Sequence, residues 1–184
     1  MQAPLCQFVI NNSWLPANRL LAAAAHISCA GPGGDRRLRQ VLAPVVDFDF
    51  IFLDSAPTNS LLTLAVLACA DSVYVPLGPG LWDVEAIGKT QTTIEEIAAD
   101  MEVSVHLNGI ILNRWTRNKV AKNIAADMEN LFGERLLGTI PDGVKLSEAN
   151  FRKLPISLYA PESPIADSFK TIARKLLWQQ QKAA

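Results

Sequence analysis

An α/β fold, with a mainly parallel sheet and helices on both faces, is the class this sequence predicts, and three observations predict it. Short, continuously apolar runs such as "FDFIFLD", "SVYVPL" and "HLNGIILN" read as strands buried on both faces. Segments of helical period lie between them. Each run ends in a loop rich in Gly, Pro, Asn or Asp. Strands alternating with helices in this way build a parallel sheet with crossover helices.

Taken in order, Leu5 to Ile10 is a strand, followed by a short polar turn and an alanine-rich helix from about Pro16 to Ala25. "CAGPGGD" is a loop, and Asp35 can cap the next helix, which carries Arg36, Arg37 and Arg39 and ends near Pro44. "FDFIFLD" is the next strand, "APTNS" breaks the chain, and Leu61 to Ala70 is a small-residue helix. "SVYVPL" is a strand, then comes a long helix over Val84 to Met101, then the strand "HLNGIILN". A helix from about Lys119 to Phe132, the strand "LLGTI", the "PDG" turn, a helical stretch through Glu148 and Ala149, and a last helix from about Pro164 complete the chain. The 184 residues fit one domain, 1–184, with a frayed tail from about 179.

Composition narrows the function. With 49% hydrophobic and 19% charged residues, the chain can fill a core and is not a disordered one. A net charge of −1 gives no long-range steering toward nucleic acid, so any such contact needs a local basic patch. Cys6, Cys29 and Cys69 are odd in number and contain no CxxC pair, which excludes a disulfide framework and metal-finger spacing and points to reduced thiols in the cytoplasm. His26 and His106 each stand in apolar surroundings, where a structural role is the expectation. No signal segment opens the chain, and no apolar run is long enough to span a membrane.

Gly88, Lys89 and Thr90 spell the end of a phosphate-binding P-loop, but the glycine required five residues earlier is Asp83. The surrounding Val84, Ile87, Ile94, Ala98 and Met101 recur near helical spacing. These three residues therefore belong to an amphipathic helix, with Lys89 four residues after Glu85 for an i,i+4 ion pair. A more informative carboxylate is Asp54, which closes an apolar strand ahead of a small residue and a proline. At a strand end it either holds the hydration shell of Mg²⁺ or caps the helix that follows.

"VVDFDFIFLDSAPTNSLLTLAVLACADSVYVPL" resembles the second half of the ParA/Soj/MinD family of deviant Walker-type P-loop ATPases, and the likeness runs in order from about Asp35 to Leu177. It continues through "RRLRQVLAPV", "LNGIILNRW" and the stretch from "LLGTIPDG" onward. The resemblance implies a P-loop NTPase-like fold, ATP and Mg as cofactors, and a role in plasmid or chromosome segregation or cargo positioning. It implies that Asp54 is the switch II aspartate, catalytic and placed to position the metal through water, with Ser55, Ala56 and Pro57 completing the switch. One proline stands there where the family usually has two. Asn113, Arg114, Pro141 and Asp142 match residues around the adenine, where an amide offers both donor and acceptor to a base edge. Read alone, Asn113 is a turn residue and Pro141 a loop breaker.

Arg117, Lys119 and Lys122, with Lys170, Arg174 and Lys175, lie in the two regions where the family contacts DNA phosphates without sequence preference; read alone, they are a solvated helix face. Implied partners are non-specific DNA, a ParB-like stimulating protein and a second copy in a homodimer. A membrane is not expected, since Trp178 is the only anchor the tail offers. The family's P-loop and switch I aspartate precede everything matched here and are absent, at least about 30 residues by the size of a βαβ unit. Such a chain is expected to be N-terminally incomplete as an ATPase and inactive alone. The alternative is a non-catalytic binding or regulatory module that keeps the fold.

Overall fold

The computed structural model of the chain describes residues 8–10, 13–15, 38–40, 42–44, 49–54, 61–78, 81–116 and 118–183. The elements are β1 (Phe8–Ile10), β2 (Ser13–Leu15), α1 (Leu61–Cys69), β3 (Ser72–Leu77), α2 (Leu81–Met101), β4 (His106–Trp115), α3 (Lys119–Phe132), β5 (Leu136–Pro141), α4 (Val144–Phe151), α5 (Ile156–Tyr159) and α6 (Pro164–Ala183). The chain divides into two compact units, residues 1–73 with 92–106 and residues 74–91 with 107–184.

The second unit holds the sheet, in the order β3-β4-β5. β4 and β5 pair in parallel, joined by α3 as a crossover helix. β4 is the central strand: Leu107, Ile110, Leu112 and Trp115 are buried, as its apolar run predicts. Gly109 is required there, since a Cβ would stand 2.8 Å from Leu137 Cγ and 2.9 Å from Tyr74 Cδ1. α3 starts on Asn118, whose side chain accepts the Ala121 N–H at 2.7 Å, and buries Ala121, Ile124 and Met128 along one stripe.

α6 runs antiparallel to β5. A Cβ on Gly143 would meet Ile165 at 2.8 Å, one on Gly138 would meet Ile172 at 3.1 Å, and Lys175 Nζ donates to Leu136 O at 3.2 Å. The resulting core joins Leu137, Ile140, Ala149, Ile156, Ile165, Ala166 and Ile172. α6 is helical as far as Ala183, and Gln179 donates to Asn108 O at 3.3 Å.

In the first unit a cluster of Leu38, Ala65 and Val66 packs with Leu42, Ile51, Leu53 and Cys69. Here the run "FDFIFLD" departs from expectation, because residues 50–54 form no strand. Ile51 and Leu53 turn toward the cluster, while Phe52 is 52% exposed and stacks on Phe50 with ring centroids 6.2 Å apart. An apolar run signals burial on two faces only if something covers both, and here one face is packed.

The N-terminal region also differs. Phe8–Ile10 lies within the expected strand and pairs antiparallel with Ser13–Leu15, Val9 opposite Trp14, where only a short polar turn was expected at 13–15. The helix expected over Pro16 to Ala25 lies outside the described residues. His106 is exposed, with Ser104 Oγ 3.2 Å from its Nε2, so the expected apolar setting is corrected. Cys69 is a free thiol donating to Val66 O at 3.2 Å; burial pushes its pKa up to about 11, against the pull of the Arg39 guanidinium.

Candidate functional site

The parallel register of β4 and β5 decides which residues meet. Ile111 faces Gly138 and Leu112 faces Thr139, but the next pair is Trp115 with Pro141, so β4 carries one extra residue in this interval. That bulge contains Asn113 and Arg114, and Arg114 takes a left-handed φ of +55° to accommodate it. The Arg114 N–H turns onto Asn113 Oδ1 at 2.9 Å. Across the strand end, Asp142 N–H donates to Trp115 O at 3.0 Å, and Gly143 N–H donates to Asp142 Oδ1 at 3.1 Å.

Asn113, Arg114, Pro141 and Asp142 are thereby gathered at one carboxyl edge of the sheet. That is where ligands bind in open α/β folds. Buried Trp115 is the hinge of the arrangement and was missed in the sequence, because only the register shows that it carries Asp142. The Arg114 guanidinium is exposed, and Asn113 keeps its amide donors while its oxygen serves the Arg114 backbone. An amide donor beside a planar cation suits a purine ring.

The phosphate end of a nucleotide finds no comparable cradle among the described residues. Gly88, Lys89 and Thr90 lie inside the 21-residue helix α2, as their spacing predicted. Backbone N–H groups in a helix interior are committed to carbonyls four residues back. No atom of the chain lies within 4 Å of where a Gly88 Cβ would stand, so packing does not demand that glycine. Of the stripe, Ile87 and Ile94 are buried and Ala98 and Met101 half-buried; the side chains of Val84 and Glu85 lie outside the described residues. Asp54 is exposed, and Ser55, Ala56 and Pro57 fall outside the described residues. Among the described residues no group of three or more His, Cys, Asp or Glu could hold a metal ion.

The basic residues are spread along the second unit. Arg117 lies outside the described residues, while Lys119 and Lys122 are exposed on the first turn of α3, just past the carboxyl end of β4. Lys170, Arg174 and Lys175 are exposed on α6, whose direction carries them progressively toward the opposite end of β5. Lys170 donates to Pro161 O at 3.0 Å and pairs with Asp167 at 3.6 Å. Lys175, bound to Leu136 O, stands where β5 begins, at the far end from Pro141. Lys119 and Lys175 therefore do not share an edge. Among the described residues no helix is long and apolar enough to cross a membrane.

Known proteins resemble the chain in this same architecture. A family model described as an AAA domain matches residues 5–107. The chromosome-partitioning ATPase Soj of Treponema pallidum is 32% identical over 173 residues, covering 88% of this chain and 68% of that protein. A plasmid partition protein from Borrelia burgdorferi superposes with a TM-score of 0.64 at 17% identity, over 84% of this chain and 58% of that one. The septum site-determining protein MinD of Pyrococcus horikoshii, complexed with Mg-ADP, gives 0.64 at 22% identity, over 77% and 56%. The chain thus spans between 56% and 68% of the length of these relatives. With the sheet, its carboxyl edge and the sequence match in agreement, the chain belongs to the ParA/Soj/MinD family of P-loop NTPase-fold proteins.

Proposed function

We propose that this chain acts in plasmid or chromosome partition, or in positioning a cellular cargo, and that the β4–β5 edge is its base-binding end. The observation that carries this reading is the meeting of Asn113, Arg114, Pro141 and Asp142 at one sheet edge, in a chain 32% identical to a Soj partition ATPase. DNA, a ParB-like stimulating protein and a second copy are the partners that fit it. Because the P-loop pattern is missing from the sequence and Gly88–Thr90 lies in a helix, the chain as it stands neither hydrolyses ATP nor binds Mg-ATP at micromolar levels. Calorimetric titration with Mg-ATP checks this, and micromolar affinity would overturn it. Asp54 as a catalytic, metal-positioning group enters only with a phosphate cradle beside it.

The basic residues support weak duplex binding through phosphates, indifferent to sequence and steeply salt-dependent. Affinity of this kind lies at about 10⁻⁴–10⁻⁶ M at physiological salt. Replacing Arg117 and Arg174 together by alanine should weaken binding equally on unrelated duplexes and flatten the salt slope. Unchanged binding returns all six residues to an ordinary solvated surface. The second reading, a non-catalytic binding module, is favoured by the helical Gly88–Thr90, and it gains if DNA binding is absent while the fold is intact.

A further inference from the structure

Between Gly143 and Leu158 the chain makes two short helices whose outer side is unusually apolar. Val144 is 73% exposed, Phe151 89%, Leu154 44% and Leu158 67%. The turn between the helices is tightly built. Leu154 N–H donates to Ala149 O and Lys153 N–H to Asn150 O, each at 3.0 Å, with Lys153 at φ +55°. That is a Schellman stop with a lysine at the left-handed position where glycine is usual. Tyr159 OH donates to Glu148 Oε2 at 2.9 Å, and the Arg152 guanidinium lies 5.6 Å from the Tyr159 ring centre, which fixes α5 against α4. The apolar side chains are thus held out from a braced frame rather than a loose loop.

Charge says what would cover them. Lys145, Arg152 and Lys153 are exposed on this segment, against the single acid Glu148, whose carboxylate already accepts from Tyr159. We propose that the outer face of α4 and α5 docks an acidic, amphipathic helical segment of a partner protein, with Phe151 and Leu158 as apolar anchors and Lys145, Arg152 and Lys153 as the cationic rim. Exposed apolar side chains rimmed by charge are the usual form of such a surface. A second copy of this chain fits less well, because a twofold contact would set these cations against their own images. A lipid surface fits less well too. Glu148 stands on the same helical stripe as Val144 and Phe151, so sinking those residues into acyl chains would drag a carboxylate with them. This inference is independent of any nucleotide or DNA chemistry.

The experiment uses the full chain and three probes. One is a labelled helical peptide of leucines at i, i+3, i+4 and i+7 with glutamates between; the second has lysines in place of the glutamates; the third is phosphatidylglycerol vesicles. The expected result is anisotropy-detected binding of the glutamate peptide and not the lysine peptide. Affinity should fall at least about tenfold in Phe151→Ser with Leu158→Ser, with an unchanged circular dichroism spectrum. Lys145→Glu with Lys153→Glu should weaken the glutamate peptide and admit the lysine peptide. Failure to bind the glutamate peptide, equal binding of both peptides, or binding that survives the double serine variant overturns the proposal. So does Phe151-dependent pelleting with vesicles, which gives the face to a membrane. Self-association in sedimentation that vanishes in the serine variant gives it to a second copy and overturns the proposal as well.

Discussion

The run "FDFIFLD" and the run "LNGIILN" are nearly interchangeable as sequence, yet one is a central strand and the other is not a strand at all. Both are short, apolar and closed by a polar residue. In β4 the alternation is buried on both sides, with Leu107, Ile110 and Leu112 under 7% exposed. In residues 50–54 only the side of Ile51 and Leu53 is packed, and Phe52 stands out at 52%. What separates them is the neighbourhood. β4 has a hydrogen-bonded strand on each side, whereas among the described residues none pairs with 50–54, and an apolar run without such neighbours keeps one wet face. Hydrophobicity states a demand for cover; pairing decides whether it is met.

The comparison can be broken most directly by truncation. Leu112→Ala, at 1% exposure, should cost about 3 kcal/mol in urea unfolding, through lost transfer energy and the cavity left behind. A loss below about 1 kcal/mol would mean that β4 is no better packed than residues 50–54. Next in size, Gly109→Ala should cost about 1–3 kcal/mol by overpacking, because the new methyl would press on Leu137 and Tyr74. A neutral effect would show that the β4–β5 contact can open.

A third measurement sharpens the other side. Cys69 belongs to the cluster that packs Ile51 and Leu53, and its thiol is raised from 9.0 to about 11 chiefly by burial. The folded chain holds this proton more tightly than the unfolded one. Its contribution is therefore intact below pH 9 and is lost as pH rises from 9 toward 11. Peptide-resolved alkylation of Cys69 should climb through that same window, and a midpoint near 9 would mean that the cluster is open to water. The smallest effect expected is Phe52→Ser, within about 0.5 kcal/mol of wild type by the same urea assay, since its ring is half in solvent. A loss of 2 kcal/mol would show that the exposed face is covered in solution.

Much of the fold was legible because helical and strand periods differ so strongly. The stripe of Ile87 and Ile94 placed Gly88–Thr90 inside α2, and the apolar runs located β3, β4 and β5. The second strand of the N-terminal pair, β2, was not legible, because three residues carry too few alternations to define a period. The residues of the sheet edge were visible as strand ends, each at the close of an apolar run. Their meeting was not visible, because it depends on one extra residue in β4 and on Arg114 at positive φ. A non-glycine residue in that region gives no sequence signal, and Lys153 at the end of α4 is a second instance. α4 was read simply as helix and α5 was not read at all, and the exposure of their apolar outer face had no sequence signal, since it depends on which side the core occupies.

The direction of synthesis gives α6 a further significance. Ile165, Ala166 and Ile172 close the core over Leu137 and Ile140, and they are made after every strand they cover. Adding the 20 residues of α6 takes about 1–4 s at typical elongation rates of about 5–20 residues per second, and through that interval the finished sheet has no lid. A chain stalled on the ribosome before Pro164 should accordingly be cut by protease within β5, while the released chain resists. The interval before α6 emerges is therefore the one in which the covered face of β5 is most open to aggregation or to chaperone capture.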